Sequence, residues 1–275
     1  MSEPFINYHT HTWRCQHAQG TEAEYVEAAV RAGYSVLGFS DHTPWPYTSG
    51  FVSGMRMRLD QFRDYREGVL ALRAQYAERL KLPLGLECEA FPMYMDWLRD
   101  FKAENLDYVI LGNHYDATDE GDHNTMRPGG GFYFGRTTLP EQVRRYGERV
   151  LFGMQTGLFD YVAHPDLFLH TYPAFDADCR AVSRDLCQCA RAMGLPLEFN
   201  LLGFERRDRE QARGWQSYPC DSFWEIAAET GCTAIIGMDA HSPGSLLHTD
   251  LIEDARNVLT RMGIRVQTTL PGLGP

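Results

Sequence analysis

The chain has 275 residues and a net charge of −11, with 44% hydrophobic and 23% charged residues, which is ordinary globular composition with room for one large core. The acidic balance argues against nucleic acid as a partner, because a polyanion needs a basic patch, while a small anionic substrate stays admissible because bound cations reverse the field locally. No apolar run is long enough to predict a membrane span, the N-terminus reads into a strand rather than a secretory signal, and seven scattered cysteines indicate reduced thiols in a cytoplasmic protein.

Apolar, β-branched runs alternate with amphipathic stretches along the chain. A first strand ends near Tyr8 and His9, and a helix over 21–32 follows, with Ala23, Val26, Ala29 and Val30 at helical spacing and Gly33 closing it. The run 35–40 reads as strand two, 43–57 as a Gly-, Pro- and aromatic-rich loop, 59–79 as a helix and 82–86 as strand three. A helix over 94–104, a strand over 108–111, a glycine-rich loop around Gly129–Gly131 and a helix over 140–157 come next. Strand five is 161–163, a helix covers 176–193, strand six is 197–200 and Pro219 opens another helix. Strand seven covers 234–237, a last helix 246–262 and a tail strand 264–268, after which the chain is expected to fray. Cys187 and Cys189 fall on one helix, which turns them to different faces and removes them as a chelating pair.

Strands alternating with helices imply right-handed βαβ units and a parallel sheet. Seven such units over this length predict an α/β fold in one domain spanning 1–275, a closed barrel, with a doubly wound open sheet as the alternative. In a parallel barrel all strand C-termini share one face, so residues there meet in one pocket. Seven of the ten histidines fall at or just past a predicted strand end: His9, His11, His17, His42, His114, His164 and His241. Asp41, Glu87, Glu89 and Asp239 join them, and His9/His11, Glu87/Glu89 and Asp239/His241 are each spaced by two, which points both members to one side of a strand. Imidazole and carboxylate are the usual ligands of Zn, Mn and Fe, and a cluster of cations removes the cost of crowding such groups together. Glu89 is expected to face solvent, and Asp41 to cap a turn or hold His42.

The ordered set Tyr8-His-Thr-His11, His17, Ser40-Asp-His42, Gly85-Leu-Glu87, Gly112-Asn-His114, Ala163-His-Pro-Asp166, Glu198-Phe-Asn200 and Gly237-Met-Asp-Ala-His241 resembles the PHP (polymerase and histidinol phosphatase) superfamily over nearly the whole chain. Within it the chain is most similar to the histidinol-phosphate phosphatases, through His17, Thr43-Pro44, Asn200 with Gly203, and Tyr218-Pro219. That resemblance implies a distorted parallel (β/α)7 barrel carrying three divalent metal ions. One ion would take His9, His11, Glu87 and Asp239, a second His17, His42 and His241, and a third His114 and His164 with Glu87 bridging. Where relatives often carry an arginine five residues past the strand-six asparagine, this chain has Glu205 followed by Arg206.

The implied reaction is hydrolysis of L-histidinol phosphate to L-histidinol and phosphate, with a metal-bridging hydroxide attacking phosphorus. Glu87, Asp239 and His241 would be the catalytic residues, the last two as relays of a proton to the leaving alkoxide. Arg136 and Arg206, then Arg56 and Arg207, are the candidates to clamp the phosphate, and Asn200 joins them in binding substrate. A phosphoesterase for nucleotides or short oligonucleotides is the main alternative, with Trp45, Tyr47, Phe51, Phe132 and Tyr133 available to stack a base. An amidohydrolase would want a lysine at a strand end to bridge two metals, and Lys81 and Lys102, the only lysines, lie elsewhere. A metal-binding subunit without turnover is the non-catalytic alternative. The oligomeric state is left open.

Overall fold

The central strands alternate their side chains between two apolar environments, and that alternation builds the architecture. The computed structural model describes residues 5–115, 117–120 and 137–275. Seven strands pair in parallel, each with its neighbour in chain order: β3 (Phe39–His42), β4 (Leu84–Cys88), β5 (Tyr108–Leu111), β6 (Tyr161–Val162), β7 (Leu197–Asn200), β8 (Thr233–Gly237) and β9 (Arg265–Val266). The first two, β1 (Phe5–Asn7) and β2 (Tyr34–Leu37), form a separate parallel pair. Backbone bonds stitch this pair to both sides of the larger sheet. His11 N donates to Ala240 O at 2.9 Å and Ala240 N to His9 O at 3.1 Å, while Leu37 N donates to Lys81 O at 2.9 Å. The α/β class and the parallel sense agree with the sequence.

Helices connect the strands: α1 (Glu22–Ala32), α2 (Phe62–Gln75), α3 (Met95–Asn105), α4 (Pro140–Gln155), α5 (Ala177–Met193), α6 (Leu201–Gln211), α7 (Asp221–Thr230) and α8 (Thr249–Arg261). α1 starts where the sequence places it because Thr21 and Glu24 form a capping box, and it stops at Gly33, whose φ of 83° suits a residue without Cβ. On β4, Leu84, Leu86 and Cys88 join the large apolar core under the helices, which leaves Gly85 and Glu87 pointing the other way. β5 repeats the rule: Val109 and Leu111 face the helices, while Tyr108 and Ile110 belong to a smaller inner cluster with Tyr8, Tyr161 and Ile235.

Three expectations change. The predicted second strand is two strands broken at Gly38, where an added Cβ would overlap the Tyr108 hydroxyl. Helix α6 was not expected, because Glu205–Glu210 is an unbroken charged run that hides its apolar stripe, and Asn200 caps its start through Gly203 N. The C-terminal tail is tied down rather than frayed. Lys81 Nζ donates to the carbonyls of Gly272 and Gly274, Tyr8 Oη donates to Leu273 O, and Leu270 is buried.

Candidate metal centre

The C-terminal ends of the strands bring the predicted histidines together. His9 and His11 follow β1, His17 follows a short 3-10 turn (Trp13–Cys15), His42 ends β3, Glu87 lies in β4, and His114 and His164 follow β5 and β6. Asp239 and His241 follow β8. Neighbouring imidazole rings lie 4.3 Å (His11–His241), 4.4 Å (His11–His42), 4.9 Å (His17–His241), 5.0 Å (His42–His114) and 5.1 Å (His114–His164) apart. All but His17 and His241 are almost fully buried.

Within this cup, four atoms converge. His9 Nε2 and His11 Nε2 are 3.1 Å apart. Glu87 Oε2 lies 3.6 Å and 3.5 Å from those two nitrogens, and Asp239 Oδ1 lies 3.4 Å and 3.2 Å from them. Ligands about 2.1 Å from a tetrahedral cation are separated by roughly 3.4 Å, so these spacings suit a divalent ion. Hydrogen bonding does not explain the arrangement. Among the described residues Glu87 Oε2, His42 Nδ1 and His241 Nε2 are buried with no hydrogen-bond partner, although His42 Nδ1 is 3.0 Å from that same carboxylate oxygen. The other oxygen, Glu87 Oε1, is 2.8 Å from His164 Nε2 and 3.4 Å from His114 Nε2. His11, His42 and His241 form a further group with ligand-forming atoms close together, and His17 groups with His241 and Cys15. The donor set therefore fits divalent metal binding.

Local structure holds these groups in place. Gly112 and Gly237 leave room for carboxylates: a Cβ on the first would overlap Glu87, and on the second Glu198. His164 and Asp239 adopt positive φ values of 28° and 48°, a strained conformation that concentrates at functional sites. Glu198, fully buried on β7, accepts from His9 Nδ1 at 2.7 Å, from His164 N at 3.0 Å and from Asn200 Nδ2 at 2.9 Å. Asp41 accepts from Thr12 N and Oγ1 and from His42 N, and its Oδ1 lies 3.7 Å from His11 Nδ1, so it braces both histidine segments.

Electrostatics divides the cluster. Burial alone would raise the Glu87 carboxyl, yet His114, His9 and His42 hold it well below the usual carboxylate range. Burial likewise opposes charge on His11, but hydrogen bonds to Asp239 and Asp41 push it up to about 9. His241 moves the other way, to about 3, through burial and the neighbouring His11. Asp239 is held well below its ordinary value against burial, chiefly by His9 and His11. Burial and the surrounding charges therefore favour an ionised Asp239 carboxylate and a neutral His241 imidazole, whose Nδ1 lies 2.9 Å from Asp239 O.

Several other assignments also change. Glu89 does not face solvent: it is fully buried, pairs with Arg56, and accepts from Trp45 Nε1 at 3.0 Å and His114 Nδ1 at 3.1 Å. Arg56 is 1% exposed and its donors go to Glu89, to Asp119 Oδ2 at 3.0 Å and to Thr43 O at 3.1 Å, which leaves no fork for a phosphate. Arg207 pairs with Asp221 and lies over the Phe204 ring, and Arg206 is half-buried on α6. Arg136 lies outside the described residues, as do Gly129–Gly131, Phe132 and Tyr133. Asn200 does not stand free for substrate, because Nδ2 reaches Glu198 and Asp239 Oδ2 while Oδ1 caps α6. Trp45 is buried against Phe91, Tyr94 and Trp97, so it offers no open face to a base. Lys81 binds tail carbonyls and Lys102 binds Leu158 O and Asp160, and neither enters the cup. Glu198 was missed as a site residue although its spacing of two from Asn200 sets both on one side of β7.

A parallel α/β sheet whose strand ends gather histidines and carboxylates into a buried cup defines a metal-binding α/β protein. The chain belongs to the PHP domain family, whose model matches residues 7–202. A probable histidinol-phosphatase of Deinococcus radiodurans is 32% identical over 91% of this chain and 92% of its own length. A probable histidinol-phosphatase of Schizosaccharomyces pombe is 21% identical, covering 86% and 81%. Among solved structures, the histidinol phosphate phosphatase of Lactococcus lactis complexed with zinc, L-histidinol and phosphate has a TM-score of 0.69 at 19% identity, covering 97% of each chain. The putative histidinol phosphatase of Listeria monocytogenes has a TM-score of 0.68 at 20% identity, covering 87% of this chain and 96% of its own. Both share the fold. Among the described residues no helix is long and apolar enough to cross a membrane.

Proposed function

We propose that the chain is a metal-dependent phosphomonoesterase that hydrolyses L-histidinol phosphate to L-histidinol and phosphate. The observation that carries the reading is the convergence of His9 Nε2, His11 Nε2, Glu87 Oε2 and Asp239 Oδ1 at separations of 3.1 to 3.6 Å. The substrate follows from the name shared by the curated relatives, one of them 32% identical over nine-tenths of both chains. We read the two sheets as one distorted (β/α)7 barrel in a single domain, with the β1–β2 pair bridging its ends. Unpaired thiols at all seven cysteines support a reducing compartment, the cytoplasm.

In this reading the cup would hold three divalent ions, Zn, Fe or Mn. His9, His11, Glu87 and Asp239 would hold one, His17, His42 and His241 the second, and His114 and His164 with Glu87 the third. When bound, the ions acidify water and neutralise phosphoryl charge. The chain's own residues do the rest. Glu198 fixes the tautomer and plane of His9 by accepting a hydrogen bond from its Nδ1–H, and Asn200 aims Asp239. Leu167, Leu202 and Tyr218 line the cleft beside the histidines and exclude water from one side of it. With Arg56 and Arg207 engaged elsewhere, Arg206 and Arg136 are the arginines assigned to the phosphate.

A phosphate-release screen over histidinol phosphate, mononucleotides and short oligonucleotides, run with metal analysis on the same preparation, tests this. Histidinol phosphate is expected to lead by about 100-fold or more in kcat/KM, the discrimination that a site with buried polar groups achieves. A nucleotide preference overturns the substrate, and absence of bound metal overturns the mechanism.

A further inference from the structure

Two ligand imidazoles of the cup each donate their Nδ1 proton to a buried carboxylate outside the ligand set, and the two carboxylates differ. Glu198 accepts from His9 at 2.7 Å, and its other donors, His164 N and Asn200 Nδ2, are neutral. Glu89 accepts from His114 at 3.1 Å and is gripped by the Arg56 guanidinium, with Nη2 to Oε1 at 3.0 Å and Nη1 to Oε2 at 3.2 Å. A guanidinium fork is a strong, directional partner for a carboxylate. Charge it withdraws from Glu89 is charge Glu89 no longer lends to the imidazole, and ligand basicity follows the partner on the far nitrogen. Geometry adds orientation. His114 is strung between two glutamates of one strand end, with Nδ1 on Glu89 and Nε2 at 3.4 Å from Glu87 Oε1. A carboxylate has no proton to give, so Nδ1 carries it and Nε2 turns its lone pair into the cup. Arg56 also ties Glu89 to Asp119 and to the 43–57 loop through Thr43 O.

We propose that Glu89, neutralised by Arg56, is the positioning residue for His114 and makes the metal position shared by His114 and His164 release its ion before the position held by His9, His11, Glu87 and Asp239. This rests on the reading of His114 as a ligand, and the experiment separates the two. Zinc-loaded protein is titrated with a chelator, and ion release is followed by a zinc-sensitive dye. Native protein is expected to release one class of ion before the tightest class, and His114→Gln to lack that weaker class. In Glu89→Gln the same class weakens by about 10- to 100-fold while the tighter ions hold, the range for lost partners of metal ligands. If His114→Gln keeps its full complement, the ligand reading fails. If His114→Gln loses an ion but Glu89→Gln releases every ion as the native protein does, or all of them equally, only this inference fails.

Should Glu89→Gln not fold, Glu89→Leu/Arg56→Met/Asp119→Asn removes the buried guanidinium together with both carboxylates it faces and leaves no orphaned charge, and it is judged by the same criterion. Native protein supplies an independent reading. A downfield imidazole N–H resonance, assigned by its loss in His114→Gln, is expected to resist exchange with water, and a rapidly exchanging or missing His114 proton overturns the proposal.

Discussion

The interior of the sheet is two regions stacked along the same strands, and they solve opposite problems. Toward the strand starts, Tyr8, Val36, Tyr108, Ile110, Tyr161 and Ile235 pack into an apolar plug closed by Leu270 from the tail. Further toward the C-terminal ends, the segments that leave β1, β5, β6 and β8 present His9, His114, His164 and Asp239. The plug satisfies its polar atoms: the Tyr108 hydroxyl lies 2.7 Å from Tyr8 O and 2.9 Å from Phe39 O. The cup leaves Glu87 Oε2, His42 Nδ1 and His241 Nε2 without hydrogen bonds among the described residues. Each orphaned buried group costs about 1–3 kcal/mol unless something else meets it. Strand identity therefore does not separate stability from function here; height along the strand does.

The sharpest way to break this contrast is to remove a group that only the cup needs. Glu87→Ala deletes both carboxylate oxygens that the imidazoles surround. Turnover is expected to fall by about 10³-fold or more, beyond a single lost hydrogen bond, because an ion and the groups around it go together. Metal content should fall with it while the far-ultraviolet circular dichroism stays native. Near-native turnover in Glu87→Ala removes the bridging role.

The second test uses pH and stability. In the metal-free fold His11 is raised from an ordinary 6.5 to about 9 by Asp239 and Asp41 against burial. A raised imidazole contributes stability that is fully present below about 6.5 and lost as pH rises through about 9, on the order of 3 kcal/mol for that group. Ligation needs the same nitrogen deprotonated, so metal affinity rises over the same window. The gap in Tm between zinc-loaded and stripped protein is thus expected to widen from pH 6.5 to 9. A gap that narrows contradicts the sharing of His11 between proton and metal.

Much of the cup is legible because its residues are local signals: imidazoles and carboxylates paired two apart at the ends of apolar runs. The parallel order followed from alternation of strands and helices. What stayed hidden depends on contacts between distant segments. Nothing local to Glu89 announces that Arg56, 33 residues earlier in the chain, covers it. Helix α6 was masked because six consecutive residues, Glu205–Glu210, are charged, and its capping residue Asn200 was already claimed for the site. The tail reads as loose because Pro271-Gly-Leu-Gly-Pro has no periodicity, whereas Lys81, 191 residues from Gly272, pins it through backbone carbonyls.

Gly112→Ala is a smaller disturbance of the same region. The added methyl overlaps the Glu87 carboxylate, which must turn away from His164 and His114. Metal affinity is expected to drop about 10- to 100-fold, as when a supporting contact is lost, and isothermal titration with zinc measures it. Unchanged affinity means that Glu87 tolerates displacement and that the tight glycine is only a packing feature.

Tyr108→Phe makes the complementary cut, in the plug alone. The ring fills the space left by Gly38 and Gly85, where a Cβ at either position would overlap it, so the aromatic body stays while the hydroxyl goes. Two strand carbonyls, of Tyr8 and Phe39, then share one fewer buried donor. The cost is expected to be about 1–2 kcal/mol, read as a lower denaturation midpoint with an unchanged slope. Metal stoichiometry and kcat should be those of the native protein, because the break lies below the cup rather than in it. If this variant also sheds metal, the Tyr8 carbonyl is the route: it sits one residue before His9, and its loss of a donor would be moving that imidazole in the cup.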